Sequence, residues 1–129
     1  AYCKEREAFG RPIGKYQLVQ GMLADMDIQI QASRLLVWHA AKVREAFDAG
    51  DATYQEWTHA VSRAKLHAAE MSLKVCEDAI QIHGAAGISQ WTPLAELYTD
   101  MRHLRFADGP DEVHHMVVGR AEVQKYGLW

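Results

Sequence analysis

Proline is scarce in this chain of 129 residues, standing only at positions 12, 93 and 110. A proline inside a helix removes a backbone donor and clashes with the preceding turn, so its rarity leaves two long stretches free to be helical. Cysteine is scarcer still. Cys3 and Cys76 cannot build a disulfide framework and show no metal-type spacing, which suits a reducing compartment. No uninterrupted apolar run approaches the roughly 18 residues that span a bilayer. The opening Ala1-Tyr2-Cys3-Lys4-Glu5-Arg6 lacks the apolar core of a signal peptide, and a start at Ala1 reads as a piece of a longer or processed protein. Charge of one sign is lacking too: the formal net charge is -3, with acidic and basic residues interspersed. That balance leaves no electrostatic footprint for nucleic acid.

What is present is apolar and periodic. Hydrophobic residues make up 49% of the chain, enough for one compact packed domain. The first proline-free stretch predicts a helix over about 16–47, ended by the turn signal Asp48-Ala49-Gly50-Asp51. Val19, Met22, Met26, Ile30 and Val37 lie on one side of it; Ile28, Ala32, Leu35 and Leu36 lie on another. A helix apolar over two faces is covered on both, by its own fold or by another subunit. The second stretch predicts a helix over about 52–82, with Trp57, Val61, Ala64, Ala68, Met71 and Val75 at the steps of a bundle seam. Thr92 reads as an N-cap with Pro93 at the first helical position, opening a short helix over about 93–103. The turn Asp108-Gly109-Pro110 leads to a last helix ending near Lys125, with Val113, Met116 and Val117 facing inward. No strand or repeat is predicted. The class is all-α, an antiparallel helical bundle.

Several constellations have two readings each. Glu56 with His59, and Glu112 with His115, match the Glu-x-x-His spacing of di-iron bundles. At about 100° per residue, however, each pair points away from its helix's apolar stripe, so solvated polar faces are the better reading. The run His83-Gly84-Ala85-Ala86-Gly87 matches no phosphate-binding glycine spacing and follows a helix. By itself it is a helix C-cap and loop; its functional reading is close backbone approach to a phosphate or adenosine. Arg6-x-x-Phe9-Gly10 could hold an anionic planar ligand, though locally a surface turn suffices. Asp108 reads locally as a turn or capping aspartate, and more sharply as a general base in a desolvated pocket.

Read in order, these segments resemble the C-terminal domain of the acyl-CoA dehydrogenases. Tyr2-x-x-x-Arg6-x-x-Phe9-Gly10-x-Pro12-Ile13-x-x-x-Gln17 is similar to that family's YxxxRxxFGxPIxxxQ signature. Gln81-Ile82-His83-Gly84-Ala85-Ala86-Gly87 resembles its Q-I-x-G-G-x-G loop, and Asp108-Gly109-Pro110-Asp111-Glu112-Val113 stands where most members read E-G-T-x-Q-I. Pro93 and Asp100 fall at the spacings of the family's short helix.

The resemblance implies FAD-dependent α,β-dehydrogenation of an acyl-CoA thioester by a homodimer or homotetramer. It implies electron-transfer flavoprotein as acceptor and a bacterial cytoplasm or a mitochondrial or peroxisomal matrix as location. It assigns the catalytic base to Asp108 and the place beside the thioester to Gly109. FAD contacts fall to Arg6, Phe9, Gln17, Gln81, His83, Gly84, Ala85, Pro110 and Glu112, with the matches to Arg6, Phe9, Gln17 and the 81–85 loop reaching the flavin of a neighbouring subunit. The family's helical N-terminal and β-domains have no counterpart in these 129 residues, so the isolated chain is expected to be inactive.

Four positions depart from the family pattern. Asp108 replaces a glutamate and shortens the reach by about 1.5 Å. Pro110 replaces a flavin-contacting threonine, Glu112 a glutamine, and Ala85 the loop's second glycine. The run Ala107-Asp108-Gly109-Pro110-Asp111-Glu112-Val113-His114 resembles one branch, associated with longer, branched or hydroxylated acyl chains. Alternatives are an acyl-CoA oxidase or flavin monooxygenase relative on the same fold, or a non-catalytic oligomerisation module.

Overall fold

The computed structural model describes residues 1–127. A short helix α1 (Tyr2–Glu5) leads to strands β1 (Glu7–Ala8) and β2 (Arg11–Pro12) and a 3₁₀ turn at Ile13–Lys15. Two long helices follow, α2 (Gln17–Ala49) and α3 (Tyr54–His83), then a 3₁₀ segment at Gly84–Ile88, α4 (Leu94–His103) and α5 (Asp111–Gln124). The chain is all-α, as expected. No helix among the described residues is long and apolar enough to cross a membrane.

The long helices end where their sequence dictates. Gly50, at φ 85°, lets its own N–H reach Phe47 O (3.0 Å) while the Asp51 N–H reaches Ala46 O (2.8 Å); this pair of bonds is a Schellman stop. Thr53 then caps α3 in a reciprocal box: its hydroxyl accepts from the Glu56 N–H, and Glu56 accepts from the Thr53 N–H. Glu56 of the first Glu-x-x-His pair is thus engaged in capping. Phe47 stacks on Trp57 at 5.3 Å and closes this end of the hairpin.

Along the α2–α3 contact the buried residues are small. Ala40, Ala60 and Ala64 form the centre, with Leu36 and Val43 packed against them, and the Ser33 hydroxyl pairs with His67 Nδ1 at 2.7 Å. Helix α3 is the hub, touching α2, α4, α5 and the 84–88 segment. Helix α5 runs antiparallel to it, since Gln55 meets Gln124, Ser62 meets His114 and Lys65 meets Asp111.

Four expectations need correction. Residues 7–12 form an antiparallel ladder of two pairs, Glu7 with Pro12 and Ala8 with Arg11. Phe9 (φ 52°) and Gly10 (φ 80°) make its left-handed turn, stabilised by the Tyr16 hydroxyl donating to Ala8 O at 2.7 Å. Thr92 does not cap α4: its hydroxyl donates to Ala86 O at 3.1 Å, and Pro93 itself is the N-cap. On α3, Val61 is exposed while Ala60 and Ala69 are buried, because neighbours on three sides shift the packed face toward small residues. On α5, Val113 and Met116 are exposed; Asp111 and Ala121 are buried instead, because that face meets the polar residues Ser62 and Lys65 of α3.

Candidate active site

Asp108 and Gly109 both take positive φ, 54° and 101°. For a non-glycine residue the left-handed region costs roughly 1–2 kcal/mol, so the turn has to be held from outside. The Asp111 N–H closes it onto Arg105 O at 3.0 Å. Lys65 Nζ donates to Gly109 O at 2.8 Å, and His114 Nε2 lies 3.3 Å from Asp108 O. The other ring nitrogen of His114 is 3.0 Å from Ser62 Oγ.

The capping role of Asp108 is not what forms. Pro110, in extended backbone, is the N-cap of α5 and supplies no side-chain cap bond. The Asp108 side chain is exposed and accepts no hydrogen bond among the described residues. Pro110 and Glu112 stand exposed on the same turn. Gly109 lacks a Cβ where one would meet His114 Nε2 at 3.2 Å, so the space beside it is taken by the imidazole.

Directly after Pro110, the buried carboxylate of Asp111 receives Lys65 Nζ at 2.9 Å on one oxygen and Arg105 Nε on the other. Burial alone would raise its pKa, but the hydrogen bonds from Lys65 and Arg105 outweigh burial and hold it below the ordinary carboxylate value. Lys65, Arg105, Asp111, His114 and Ser62 were not singled out in the sequence. An Asp immediately after a helix-initiating Pro is a weak signal for Asp111; nothing local points to Lys65, 46 positions earlier.

A second group gathers at the far end of α3. The Tyr2 ring stacks on His83 at 3.9 Å, and its hydroxyl donates to His83 O at 3.4 Å. His83 Nδ1 is fixed by Ala79 O at 2.7 Å, so that nitrogen carries the proton. Gly84 (φ 60°) has open space where a side chain would stand. Gln81 and Ala85 are exposed beside it, and Gln17 is exposed at the start of α2. Arg6 is exposed and makes no ion pair among the described residues; Phe9 is 97% exposed. In this hairpin the guanidinium lying on an aromatic face is that of Arg11, 4.2 Å from the Tyr16 ring centre, rather than Arg6 on Phe9.

The two groups are not brought together within one chain. Lys65, which holds the Asp108 turn, and His83, which anchors Tyr2, are 18 positions apart on the continuous helix α3. At 1.5 Å per residue that is roughly 27 Å.

The fold and these two groups define a helical domain with an exposed carboxylate on a pinned turn and, separately, an edge bearing the exposed Arg6 and Phe9. The profile of the acyl-CoA dehydrogenase C-terminal domain matches residues 1–123. The chain belongs to that family. It is 41% identical over 112 residues to 3-sulfinopropanoyl-CoA desulfinase of Paraburkholderia xenovorans, covering 87% of this chain and 27% of that one. Butyryl-CoA dehydrogenase from Megasphaera elsdenii superposes with a TM-score of 0.85 at 34% identity, over 95% of this chain and 30% of that one. A structure of PigA in complex with FAD superposes with a TM-score of 0.81 at 26% identity, over 98% of this chain and 30% of PigA. The chain therefore spans under a third of the length of each of these relatives.

Proposed function

We propose that this domain supplies the catalytic base and part of the cofactor site for FAD-dependent α,β-dehydrogenation of an acyl-CoA thioester. The observation that carries the reading is the Asp108 carboxylate, unpartnered and exposed on a turn pinned through its backbone. The family membership gives that carboxylate a task, and the names of two relatives share a CoA thioester. An α-proton beside a thioester is only weakly acidic, so its removal needs a base that is placed and desolvated. In this reading the Asp108 carboxylate takes the α-proton and Gly109 stands beside the thioester, with His114 filling the place of its missing Cβ. Desolvation comes from the ligands that cover the exposed turn.

The second group fits an anionic cofactor bearing rings. Arg6 offers an uncommitted guanidinium for phosphate, Phe9 an uncovered aromatic face, and Gly84 a backbone that a ligand can approach. FAD, when bound, supplies the acceptor for the β-hydride. The separation of roughly 27 Å along α3 supports assigning Arg6, Phe9, Gln17, Gln81, His83, Gly84 and Ala85 to the flavin of another copy, with Pro110 and Glu112 beside the chain's own. A homo-oligomer follows from this, a dimer or a tetramer. It also gives an occupant to the outer face of α2, where Leu18, Ile28, Leu35 and Trp38 are exposed. Electron-transfer flavoprotein is the acceptor consistent with this chemistry.

Anaerobic mixing of the flavin-loaded enzyme with a saturated acyl-CoA tests the proposal. Bleaching of the oxidised flavin with formation of the 2-enoyl-CoA is expected. Release of sulfite from a sulfinoacyl-CoA, with water replacing the C–S bond by C–H and no net flavin reduction, would place the enzyme with the desulfinase instead. Rapid reoxidation of the reduced flavin by oxygen would favour the oxidase reading.

A further inference from the structure

An aspartate in place of a glutamate has one fewer rotatable bond, so the position of its carboxylate depends more on its own backbone. That backbone is left-handed and tied to α3. We propose that His114 is a positioning residue that aims the Asp108 carboxylate through the carbonyl of residue 108; the inference rests on Asp108 being the base.

The hydrogen-bond chemistry fixes the ring. A carbonyl oxygen only accepts, so the 3.3 Å contact with Asp108 O requires the proton on His114 Nε2. In the neutral imidazole, Nδ1 then accepts from the Ser62 hydroxyl 3.0 Å away, and Ser62 is buried at 4% exposure. The ring is thereby held at both nitrogens, between a buried hydroxyl on the central helix and the turn. Gly109 is part of the device, because a Cβ at 109 would stand 3.2 Å from Nε2. Ser62 and Lys65 lie three residues apart, on one face of α3. The same helix face thus fixes two successive carbonyls, Asp108 O through His114 and Gly109 O through Lys65. With the 108–109 and 109–110 peptide planes both held, the backbone leaving Asp108 is fixed, and the direction of its Cα–Cβ bond is constrained with it. A misplacement of about 1 Å at a reacting group can cost on the order of 100-fold in rate.

The test is stopped-flow reduction of the FAD-loaded enzyme by whichever of butyryl-, octanoyl- and palmitoyl-CoA bleaches the wild type fastest. His114→Phe keeps the ring's bulk and removes the donor. It should lower the limiting bleaching rate by about 10- to 100-fold, with flavin content unchanged and the acyl-CoA dissociation constant within about threefold of wild type. His114→Gln, whose side-chain amide can donate to the same carbonyl, should restore the rate to within about fivefold. Ser62→Ala, a small change that leaves the helix intact, should slow bleaching severalfold in the same way. A His114→Phe rate within about twofold of wild type would overturn the inference, and so would a Gln variant as slow as the Phe variant. If the Phe variant does not fold, an unchanged rate for Ser62→Ala overturns it. Asp108→Asn, measured in parallel, separates the two claims. Wild-type bleaching in that variant removes the base itself, whereas a slow Asp108→Asn beside a fast His114→Phe removes only the positioning role.

Discussion

Lys65 and Asp111 form a buried ion pair at 2.9 Å that joins the middle of α3 to the first turn of α5, with side chains 17% and 7% exposed. The same ammonium also donates to the carbonyl of Gly109. One lysine therefore ties the candidate turn both to the fold's central helix and to the helix that follows it.

Removing one partner of a buried pair leaves the other charge uncompensated, typically at about 3–5 kcal/mol. Arg105, the second cation on Asp111, is 41% exposed, so solvent screening reduces the loss. Asp111→Asn is expected to destabilise the fold by about 2–3 kcal/mol at neutral pH, read from denaturant midpoints. The pKa of Asp111 is lowered in the folded state, so its contribution is complete above the unfolded carboxylate value of about 3.9 and is lost as pH falls through the lower folded value. Wild type should therefore lose stability more steeply than Asp111→Asn as pH falls from about 5 to 3. Parallel pH profiles for the two proteins would remove the ion pair from the account.

Arg6→Ala should weaken FAD binding in the assembled enzyme about tenfold or more, the scale of one charge-assisted hydrogen bond. Fluorescence titration of the apoenzyme with FAD gives the comparison. An unchanged dissociation constant would mean that Arg6 faces solvent and nothing else.

Glycines 109 and 119 make a contrasting pair. Gly109 sits at φ 101° with His114 against its missing Cβ, whereas Gly119 lies in helix α5 with open space around it. Gly109→Ala is expected to cost at least about 1–2 kcal/mol of stability. Gly119→Ala should instead stabilise by about 0.5–1 kcal/mol, because the unfolded chain loses freedom and nothing clashes. Chemical denaturation of the two variants decides it; equal effects would contradict the turn geometry.

The long helices were legible because their signals are local. Proline placement, the Gly50 stop and the apolar periodicity put α2 and α3 within two residues of their observed ends. The hairpin at 7–12 was not legible, because its turn places a phenylalanine at positive φ and is secured by Tyr16 from outside the segment. The inward face of α5 was misread for a similar reason. Its stripe of Val113 and Met116 looks like a core, but the neighbouring face of α3 presents Ser62 and Lys65, so Asp111 and His114 turn inward to meet them. Asp108, Arg6 and the 81–85 loop could be named from motifs. Their supports, Lys65 and Ser62 for the turn and Tyr2 for the loop, become visible only when distant segments are brought side by side.

The most direct measurement is the reductive half-reaction of Asp108→Asn in the flavin-loaded enzyme. Asparagine keeps the size of the side chain and tolerates left-handed backbone nearly as well as aspartate, and Pro110 rather than residue 108 caps α5. Folding and FAD content should therefore be retained. Loss of a general base typically costs 10²–10⁴-fold, so bleaching on mixing with acyl-CoA should slow by at least about a hundredfold. Bleaching within a few fold of wild type, at unchanged flavin content, would show that the α-proton leaves by another route and that Asp108 is a turn residue only.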